Sequence, residues 1–447
     1  MDDVAPLPRG YRAIRGIGRL LLRSHYRRVE VSGADRVPRE GALLLVANHQ
    51  NSLVDSLALL HASPRALSPL AKAPLWKSRL VAPFLDRLGA IPVYRPQDRD
   101  ENEGRGVRAN DAMFRAVGER LRAGGAVALF PEGVSQSRPK LMTLRTGAAR
   151  IALDSGVPVS IVPVGLVYVS PTRSSRGSLL VRFGEPFVVN GSNLGPARRG
   201  AIASTTRRIE DALRALLAEA ESQGDLDTFR VLCAAWNQER GAPPPDTLEE
   251  DLERTRAFAA GYATLYRDAP RTLEDLRAET DGYVRALALA GVAPESLDAK
   301  YTPRRVASFV ARETLFLFVA TPIGILGGLV TWPARAVAEI LAARGSRGSE
   351  DVWVFTRMAG NAVVFPVYVA VLSTVAWIDW GAWAGAATIV GLPLLLAWFI
   401  AWRDHAKSAR SRLRSFFLLA GGGLRRDLLA RRRDLCRRLA EAAAPSA

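Results

Sequence analysis

The segment VANHQNSLVD, residues 46–55, holds a histidine and a carboxylate at a spacing that could perform acid–base chemistry. His49 follows the apolar run GALLLVAN, which predicts a buried strand, and Asp55 lies in SLVDSLALLH, which predicts the start of a helix. A turn from strand to helix can bring the Asp55 carboxylate onto Nδ1 of His49. That hydrogen bond would fix the imidazole tautomer, leave Nε2 as a base and stabilise the imidazolium that forms. A hydrogen-bonded pair with a structural role only is the alternative.

No nucleophile of the protein's own accompanies this pair in the sequence. The motif G-x-S-x-G, which carries the serine nucleophile of many hydrolases, is absent. A base without a nucleophile suggests that a hydroxyl group of the substrate makes the attack. The same pair could instead activate water, in which case the protein would be a hydrolase.

A second group of polar residues follows strand-like segments further along the chain. In AIPVYR, Arg95 comes directly after a short apolar strand, and in LFPEGVSQSRPKLMTLRTG the strand stops at Pro131. Beyond that proline, the candidate binding residues are Glu132, Gly133, Ser135, Arg138 and Arg145. Gly133 permits close approach of the backbone to a ligand. The three arginines offer planar donor groups suited to a phosphate, and a solvated basic loop is the alternative for them.

These residues need a scaffold that brings the ends of several strands together. From residue 29 to about 190, strand-like segments such as VEVSG, AVALFPEG, PVSIVPVGLVYV and SLLVRFGEPFVV alternate with amphipathic helical segments. This alternation predicts an α/β domain over residues 29–221, with a mixed, largely buried sheet flanked by helices. In such folds ligands bind beyond the carboxyl ends of the strands, which is where His49 stands.

The remaining chain is predicted to be helical and partly membrane-bound. Residues 1–28 alternate arginine with isoleucine, leucine and tyrosine, which predicts a basic amphipathic segment at a membrane interface; an ordinary packing helix is the alternative. Residues 222–312 predict a helical connector, in which we find no chemistry. Residues 313–402 form the predicted membrane region. Residues 403–447, with twelve Lys or Arg against four Asp or Glu, form a basic cytoplasmic tail.

Three uncharged stretches in residues 313–402 approach the roughly 20 residues that a transmembrane helix needs. The basic tail and the basic N-terminal part should both lie in the cytoplasm, which requires an even number of crossings. We therefore expect transmembrane helices at 358–378 and 380–402, and a re-entrant or interfacial segment at 314–332, which Pro322 and three glycines interrupt. The expected location is the cytoplasmic side of a membrane, as an integral protein of a bacterial-type inner membrane.

The formal net charge of +17 predicts a polyanionic partner, which could be nucleic acid or an anionic membrane surface. The basic residues adjoin the apolar stretches and no nucleic-acid-binding motif is present. We therefore expect anionic lipids and not nucleic acid. The two cysteines, Cys233 and Cys436, lack the spacing of a metal or redox site.

Four blocks in order, NHQNSLVD, GAIPVYR, FPEGVSQS and VPVG, resemble the motifs of the glycerolipid acyltransferase superfamily, which includes lysophosphatidate acyltransferases and tafazzin. The resemblance covers roughly residues 25–190. Two departures, a His-to-Asp gap of five residues instead of four and the lack of an arginine after FPEG, resemble the yeast-type glycerol-3-phosphate acyltransferases and their bacterial relatives. A weaker resemblance to those enzymes extends to about residue 402. Gln136 departs from their pattern, so no catalytic role is expected there.

This resemblance implies an acyltransferase of phosphatidate and phospholipid synthesis. His49, oriented by Asp55, would take the proton from a hydroxyl of glycerol-3-phosphate or 1-acyl-glycerol-3-phosphate. The alkoxide would then attack the thioester of acyl-CoA or acyl carrier protein. Donors near Gly133 or a helix N-terminus would stabilise the oxyanion.

The resemblance also implies roles for the remaining polar residues. Arg95, with Arg138 or Arg145, would hold the phosphate of the acceptor, and Glu132 would position the acceptor or its own loop. No metal or other cofactor is implied. The alternatives are an acyltransferase for another lysophospholipid, a membrane-anchored lipid hydrolase, and a lipid-binding protein on the same fold.

Overall fold

The structure of the chain is a computed structural model. It describes residues 9–77, 82–93, 106–136, 138–169, 177–191, 195–220, 222–268, 270–292, 294–298, 303–345, 350–420 and 423–443. These residues form two compact units. The first contains the described residues from 9 to 219 together with 350–355, and the second contains those from 220 to 345 and from 356 to 443.

The first unit is built on an eight-stranded sheet. Its strands are β1 (Arg28–Ser32), β2 (Leu43–Ala47), β3 (Leu67–Lys72), β4 (Ile91–Val93), β5 (Ala126–Leu129), β6 (Val159–Val169), β7 (Ser178–Phe183) and β8 (Phe187–Val189). The order is β1-β7-β6-β2-β5-β3-β4, with β8 beside β6. Strands β2, β3, β4 and β5 pair in parallel, as does β2 with β6, whereas β6 pairs antiparallel with β7 and β8. The predicted mixed sheet is confirmed.

Six helices pack on this sheet. They are α1 (Arg9–His25), α2 (Leu53–Ala62), α3 (Ala82–Leu88), α4 (Gly106–Arg122), α5 (Gly147–Leu153) and α6 (Arg198–Arg214). The central strand β2 is completely buried over all five residues. Complete burial is typical of a parallel strand covered on both faces, and it explains the continuous apolar run in the sequence. The predicted flanking of the sheet by helices is therefore confirmed.

Helix α1 packs against the first unit along one side. Leu22 is completely buried, and the backbone N–H of Leu67 at the start of β3 donates to the Tyr11 hydroxyl at 2.9 Å. The opposite side leaves Ile17 and Leu20 exposed, at 51% and 69%. Helix α1 is thus a packing helix, which was the alternative to an interfacial segment. Its contact with a membrane through the exposed side stays a prediction.

The second unit is helical throughout its described residues, as predicted for the connector. Its helices are α7 (Gln223–Glu239), α8 (Leu248–Asp268), α9 (Pro270–Ala290), α10 (Pro303–Gly345), α11 (Glu350–Trp380), α12 (Ala382–Ala420) and α13 (Gly423–Ala443). Helix α7 begins with a capping box between Ser222 and Asp225. The predicted basic tail is not a separate element, because α13 buries Leu428 and Leu435 in one apolar cluster with α7 and α9. Its Arg432 is also buried and pairs with carboxylates.

Helices α10, α11 and α12 contain three stretches long and apolar enough to cross a membrane, by length and composition: Val310–Arg344, Gly360–Trp380 and Ala382–Arg410. The predicted spans at 358–378 and 380–402 lie almost wholly within α11 and α12. Segment 314–332 differs from the re-entrant shape that we expected, because α10 continues through Pro322 without a break. Its glycines serve packing instead. A Cβ on Gly324 would lie 2.4 Å from the Trp402 ring, and one on Gly328 would lie 2.8 Å from the Phe399 ring.

We predict two crossings, so the first unit and the link between α10 and α11 should face the same side of the membrane. Cysteines can be placed at exposed Glu185 and at Ser346, and each labelled with an impermeant maleimide in sealed vesicles. The native Cys233 and Cys436 are buried, which limits background labelling. Labelling of the two positions from opposite sides would show that α10 also crosses, and the two-crossing topology would be wrong.

Candidate active site

His49 and Asp55 form the hydrogen bond that the sequence predicts. Nδ1 of His49 lies 2.8 Å from Oδ2 of Asp55. The carboxylate is completely buried and the imidazole is 7% exposed. Within the part of the chain that the structure describes, no side chain or backbone group hydrogen-bonds Nε2. The geometry therefore leaves Nε2 as the ring nitrogen that can exchange a proton with a ligand.

The position of His49 is set by the residue before it. Asn48 directly follows β2, is buried, and makes two hydrogen bonds to the backbone of Leu166 in the neighbouring strand β6. Its Nδ2 donates to the carbonyl at 2.9 Å, and its Oδ1 accepts from the N–H at 2.7 Å. The amide side chain thus continues the backbone pairing of the two parallel strands by one residue. His49 consequently leaves the sheet at a fixed point.

The turn between His49 and Asp55 contains a strained residue. Ser52 has a φ of 47° and is the one non-glycine residue with positive φ in the described ranges. Such a conformation costs about 1–3 kcal/mol and persists where the surroundings determine it. Here the N–H of Asn51 donates to Oδ2 of Asp55 at 2.8 Å, and the N–H of Val54 donates to the carbonyl of Asn51 at 2.9 Å. This turn accommodates the five residues that separate the pair.

The loop after β5 holds His49 from the other side. The ring of Phe130 stacks on the imidazole with centroids 4.1 Å apart and planes 10° from parallel. The Glu132 carboxylate accepts the His49 N–H at 2.7 Å, and the N–H of Gln136 donates to the His49 carbonyl at 3.0 Å. His49 is therefore fixed through its backbone, its ring face and Nδ1. Gln136 contributes a backbone group to this arrangement.

Both oxygens of the Glu132 carboxylate accept hydrogen bonds from backbone N–H groups. It is 3% exposed, and its second oxygen accepts the backbone N–H of Met142 at 3.1 Å. Burial raises the pKa of the Glu132 carboxyl above its ordinary value, and the two N–H groups oppose that rise. Of the two roles expected from the sequence, positioning the loop is the one that these contacts favour.

The remaining predicted binding residues lie on the same loop. Gly133 has a φ of 76°, and a Cβ placed there would lie 2.7 Å from Nε of Arg145, so that side chain crosses directly over the glycine. Arg138 is exposed, and its carbonyl accepts a bond from Gln50 at 3.4 Å. Ser135 is half-buried. Arg95 lies outside the described residues, so its predicted contact with a phosphate stays a prediction.

Sequence reasoning missed three residues that hold the pair, namely Asn48, Phe130 and Tyr168. The Tyr168 hydroxyl donates a short hydrogen bond to Oδ1 of Asp55, from a position 113 residues further along the chain. A polar residue within an apolar strand, as in VPVGLVYV, is the available signal for Tyr168. Asn48 and Phe130 each adjoin a recognised motif, but nothing in the sequence shows what they contact.

A family model described as Acyltransferase matches residues 28–167, so these residues form an acyltransferase domain. The relatives of this domain are consistent with the glycerolipid acyltransferase superfamily. The acyltransferase domain therefore includes β1 to most of β6 and every described residue of the pair's surroundings except Tyr168, which lies one residue beyond the match.

Relatives of the acyltransferase domain occur in yeasts and mammals. An uncharacterized acyltransferase of Schizosaccharomyces pombe is 26% identical over 343 residues, which is 57% of this chain and 50% of that protein. Glycerol-3-phosphate O-acyltransferase 2 of Saccharomyces cerevisiae is 28% identical over 169 residues, 37% of this chain and 22% of that protein. Human 1-acyl-sn-glycerol-3-phosphate acyltransferase alpha is 29% identical over 137 residues, 31% of this chain and 44% of that protein. The chain thus spans half or less of the length of these relatives.

Among solved structures, the 1-acyl-sn-glycerophosphate (LPA) acyltransferase PlsC from Thermotoga maritima is similar to the chain. It is 21% identical, and the match covers 45% of this chain and 78% of that one with a TM-score of 0.33.

We predict that Asn48→Ala destabilises the acyltransferase domain. The substitution leaves a buried N–H and a buried carbonyl of Leu166 without partners, which should cost about 2 kcal/mol or more in the free energy of unfolding. The midpoint of thermal unfolding of the full chain in detergent should fall by roughly 4–8 °C. Gln50→Ala is the control, because Gln50 makes one long bond at the surface. Equal midpoints for the two variants would contradict the role given to Asn48.

Proposed function

We propose that the chain is a membrane-bound O-acyltransferase of glycerolipid synthesis. It moves a fatty acyl group from acyl-CoA or acyl carrier protein to a hydroxyl of glycerol-3-phosphate or 1-acyl-glycerol-3-phosphate. The observation that carries the proposal is the imidazole of His49, which is held at its backbone, at one ring face and at Nδ1, and is backed by a completely buried carboxylate.

The mechanism follows from that arrangement. Nε2 of His49 takes the proton of the acceptor hydroxyl as its oxygen bonds to the thioester carbon. The imidazolium formed is stabilised by the Asp55 carboxylate, whose Oδ2 lies 2.8 Å from Nδ1. The tetrahedral intermediate collapses with cleavage of the carbon–sulfur bond. The departing thiolate then takes the proton from Nε2, which restores the neutral imidazole.

The loop after β5 supplies the groups that would bind the anionic parts of the reactants. Because Gly133 has no side chain, the guanidinium of Arg145 lies against the backbone close to the loop that holds His49. A guanidinium in this position suits either the acceptor phosphate or the developing oxyanion. We assign the phosphate to Arg145 and Arg138, with Arg95 as a further ligand. No metal ion is required for this chemistry, because the base and the charged donors are side chains.

The choice of acceptor rests on the relatives. Their names specify glycerol-3-phosphate in the yeast protein and 1-acyl-sn-glycerol-3-phosphate in the human one. Both molecules combine a hydroxyl with a phosphate, which is the combination that a base beside arginines would serve. The long apolar helices of the second unit suit a lipid substrate, and we place the reaction at the cytoplasmic face of the membrane, next to anionic lipids.

We predict that membranes containing the protein transfer label from acyl-CoA to one of the two acceptors. His49→Ala should lower kcat by about 10²–10⁴-fold, because it removes the general base. His61→Gln is the matched control: His61 lies in α2 and its Nδ1 has no partner in the described chain, so its loss should leave kcat unchanged.

The other outcomes of that assay separate the alternatives. Label released as free fatty acid, with neither acceptor modified, would show a lipid hydrolase. Transfer only to another lysophospholipid would keep the reaction and change the acceptor. Absence of transfer from either acyl-CoA or acyl carrier protein to any of these acceptors would contradict the proposal and favour a lipid-binding protein.

We further predict that Gly133→Ala raises the KM for the phosphate-bearing acceptor about tenfold or more, because the new Cβ displaces the Arg145 side chain and weakens a charge-assisted bond. Gly156→Ala is a matched control for backbone strain. Both glycines have a φ of 76°, but a Cβ on Gly156 meets no atom within 4 Å. Equal KM values for the two variants would contradict the placement of Arg145 in the acceptor site.

A further inference from the structure

We propose that Tyr168 is a positioning residue of the reacting pair: its hydroxyl holds the Asp55 carboxylate in the orientation that faces Nδ1 of His49. The proposal rests on the function proposed above, in which that orientation matters for proton transfer. It adds a third side chain to the pair, contributed by strand β6. The sequence block that carries the pair, NHQNSLVD, does not contain it.

The hydrogen bonds of Asp55 divide between its two oxygens. Oδ2 receives Nδ1 of His49 and the backbone N–H of Asn51, both at 2.8 Å. Oδ1 receives the Tyr168 hydroxyl. Because the carboxylate is completely buried, water cannot replace a missing donor at Oδ1. Without the phenol, that oxygen would have no donor, and the carboxylate could rotate away from His49 to find one.

Tyr168 ties the Asp55 carboxylate to the sheet. It lies near the end of β6, where its backbone pairs antiparallel with Leu179 of β7. Asp55 lies in the first turn of α2, directly after the turn with positive φ at Ser52. The bond between them therefore connects the helix that carries Asp55 to a paired strand.

The Tyr168 phenol keeps the proton that it donates to Asp55. Burial, followed by the charge of Asp55, raises the pKa of the Tyr168 phenol well above its ordinary value, so the phenol keeps its proton and remains a donor at working pH. The Asp55 carboxylate thus accepts from Tyr168 at one oxygen and from His49 at the other.

A purely structural role for Tyr168 makes a different prediction, and the neighbouring Tyr26 allows the two to be compared. Tyr26 is buried, with 6% of its surface exposed, and the centre of its ring lies 5.9 Å from that of Tyr168. In the described structure its hydroxyl makes no hydrogen bond to Asp55. Tyr26→Phe thus removes a buried hydroxyl next to the site without removing a donor from the carboxylate.

The first experiment measures kcat and KM of the full chain in detergent or vesicles. Tyr168→Phe should lower kcat by about ten- to a hundredfold, the effect of losing one bond to a charged group, with KM within about twofold. Tyr26→Phe should leave both unchanged. In an Asp55→Asn background, Tyr168→Phe should have less than about a twofold effect, because the tyrosine acts through the carboxylate. Equal losses in both backgrounds, or equal effects of the two tyrosine variants, would overturn the proposal.

The second experiment reads the state of His49 without any acyl transfer. Diethyl pyrocarbonate modifies neutral imidazoles, and the rate at His49 can be resolved by peptide mass spectrometry against the other three histidines of the chain. Tyr168→Phe should move the rate at His49 from the wild-type value towards that of Asp55→Asn, and Tyr26→Phe should not. An unchanged rate in Tyr168→Phe would overturn the proposal. If wild-type protein transfers no acyl group, the proposed function fails, whereas this rate still decides the role of Tyr168.

Discussion

A completely buried carboxylate needs a hydrogen-bond donor at each oxygen, and the arrangement of the first unit around Asp55 follows from that requirement. One oxygen takes the imidazole of His49 and the N–H of Asn51, and the other takes the Tyr168 hydroxyl. These donors come from the end of one strand, from the turn that follows it and from the neighbouring strand. The carboxylate therefore joins the local sequence motif to the sheet. Because Nδ1 of His49 donates to this carboxylate, the imidazole keeps one tautomer, with the proton on Nδ1 and the lone pair on Nε2.

The fold and the pair could be predicted because both are recorded in local patterns. A strand buried on both faces, such as Leu43–Ala47, must be a continuous apolar run, and a helix that begins near residue 53 brings Asp55 back towards His49. Contacts between neighbouring strands that are distant in the sequence leave no such local pattern. Asn48 and Leu166 are 118 residues apart, and their two hydrogen bonds depend on β2 and β6 being neighbours, which the order of strands along the chain does not reveal.

The segment at 314–332 shows a different limit of sequence reasoning. Glycine and proline lower helix propensity, so a stretch with Pro322 and three glycines predicts an interruption. In a helix packed against others, the same glycines allow close approach, and here the rings of Phe399 and Trp402 occupy the space that side chains would fill. Helix propensity describes an isolated segment, whereas α10 also packs against the aromatic side chains of α12. Whether such a segment forms one continuous helix therefore depends on the residues that pack against it.

The candidate site residues of the acyltransferase domain differ in burial and in the number of contacts that hold them. His49 is held through its backbone, its ring face and Nδ1, whereas Arg138 and Arg145 are exposed on the loop after β5. A buried hydrogen-bonded group tolerates few substitutions, because each lost partner leaves an unsatisfied neighbour. Exposed arginines can be exchanged or moved at little cost in stability. If the proposed function holds, a change of acceptor needs changes only among such exposed side chains, and the buried pair can stay as it is. We therefore expect the identity of the acceptor to depend on the exposed arginines of this loop and not on the buried His49–Asp55 pair.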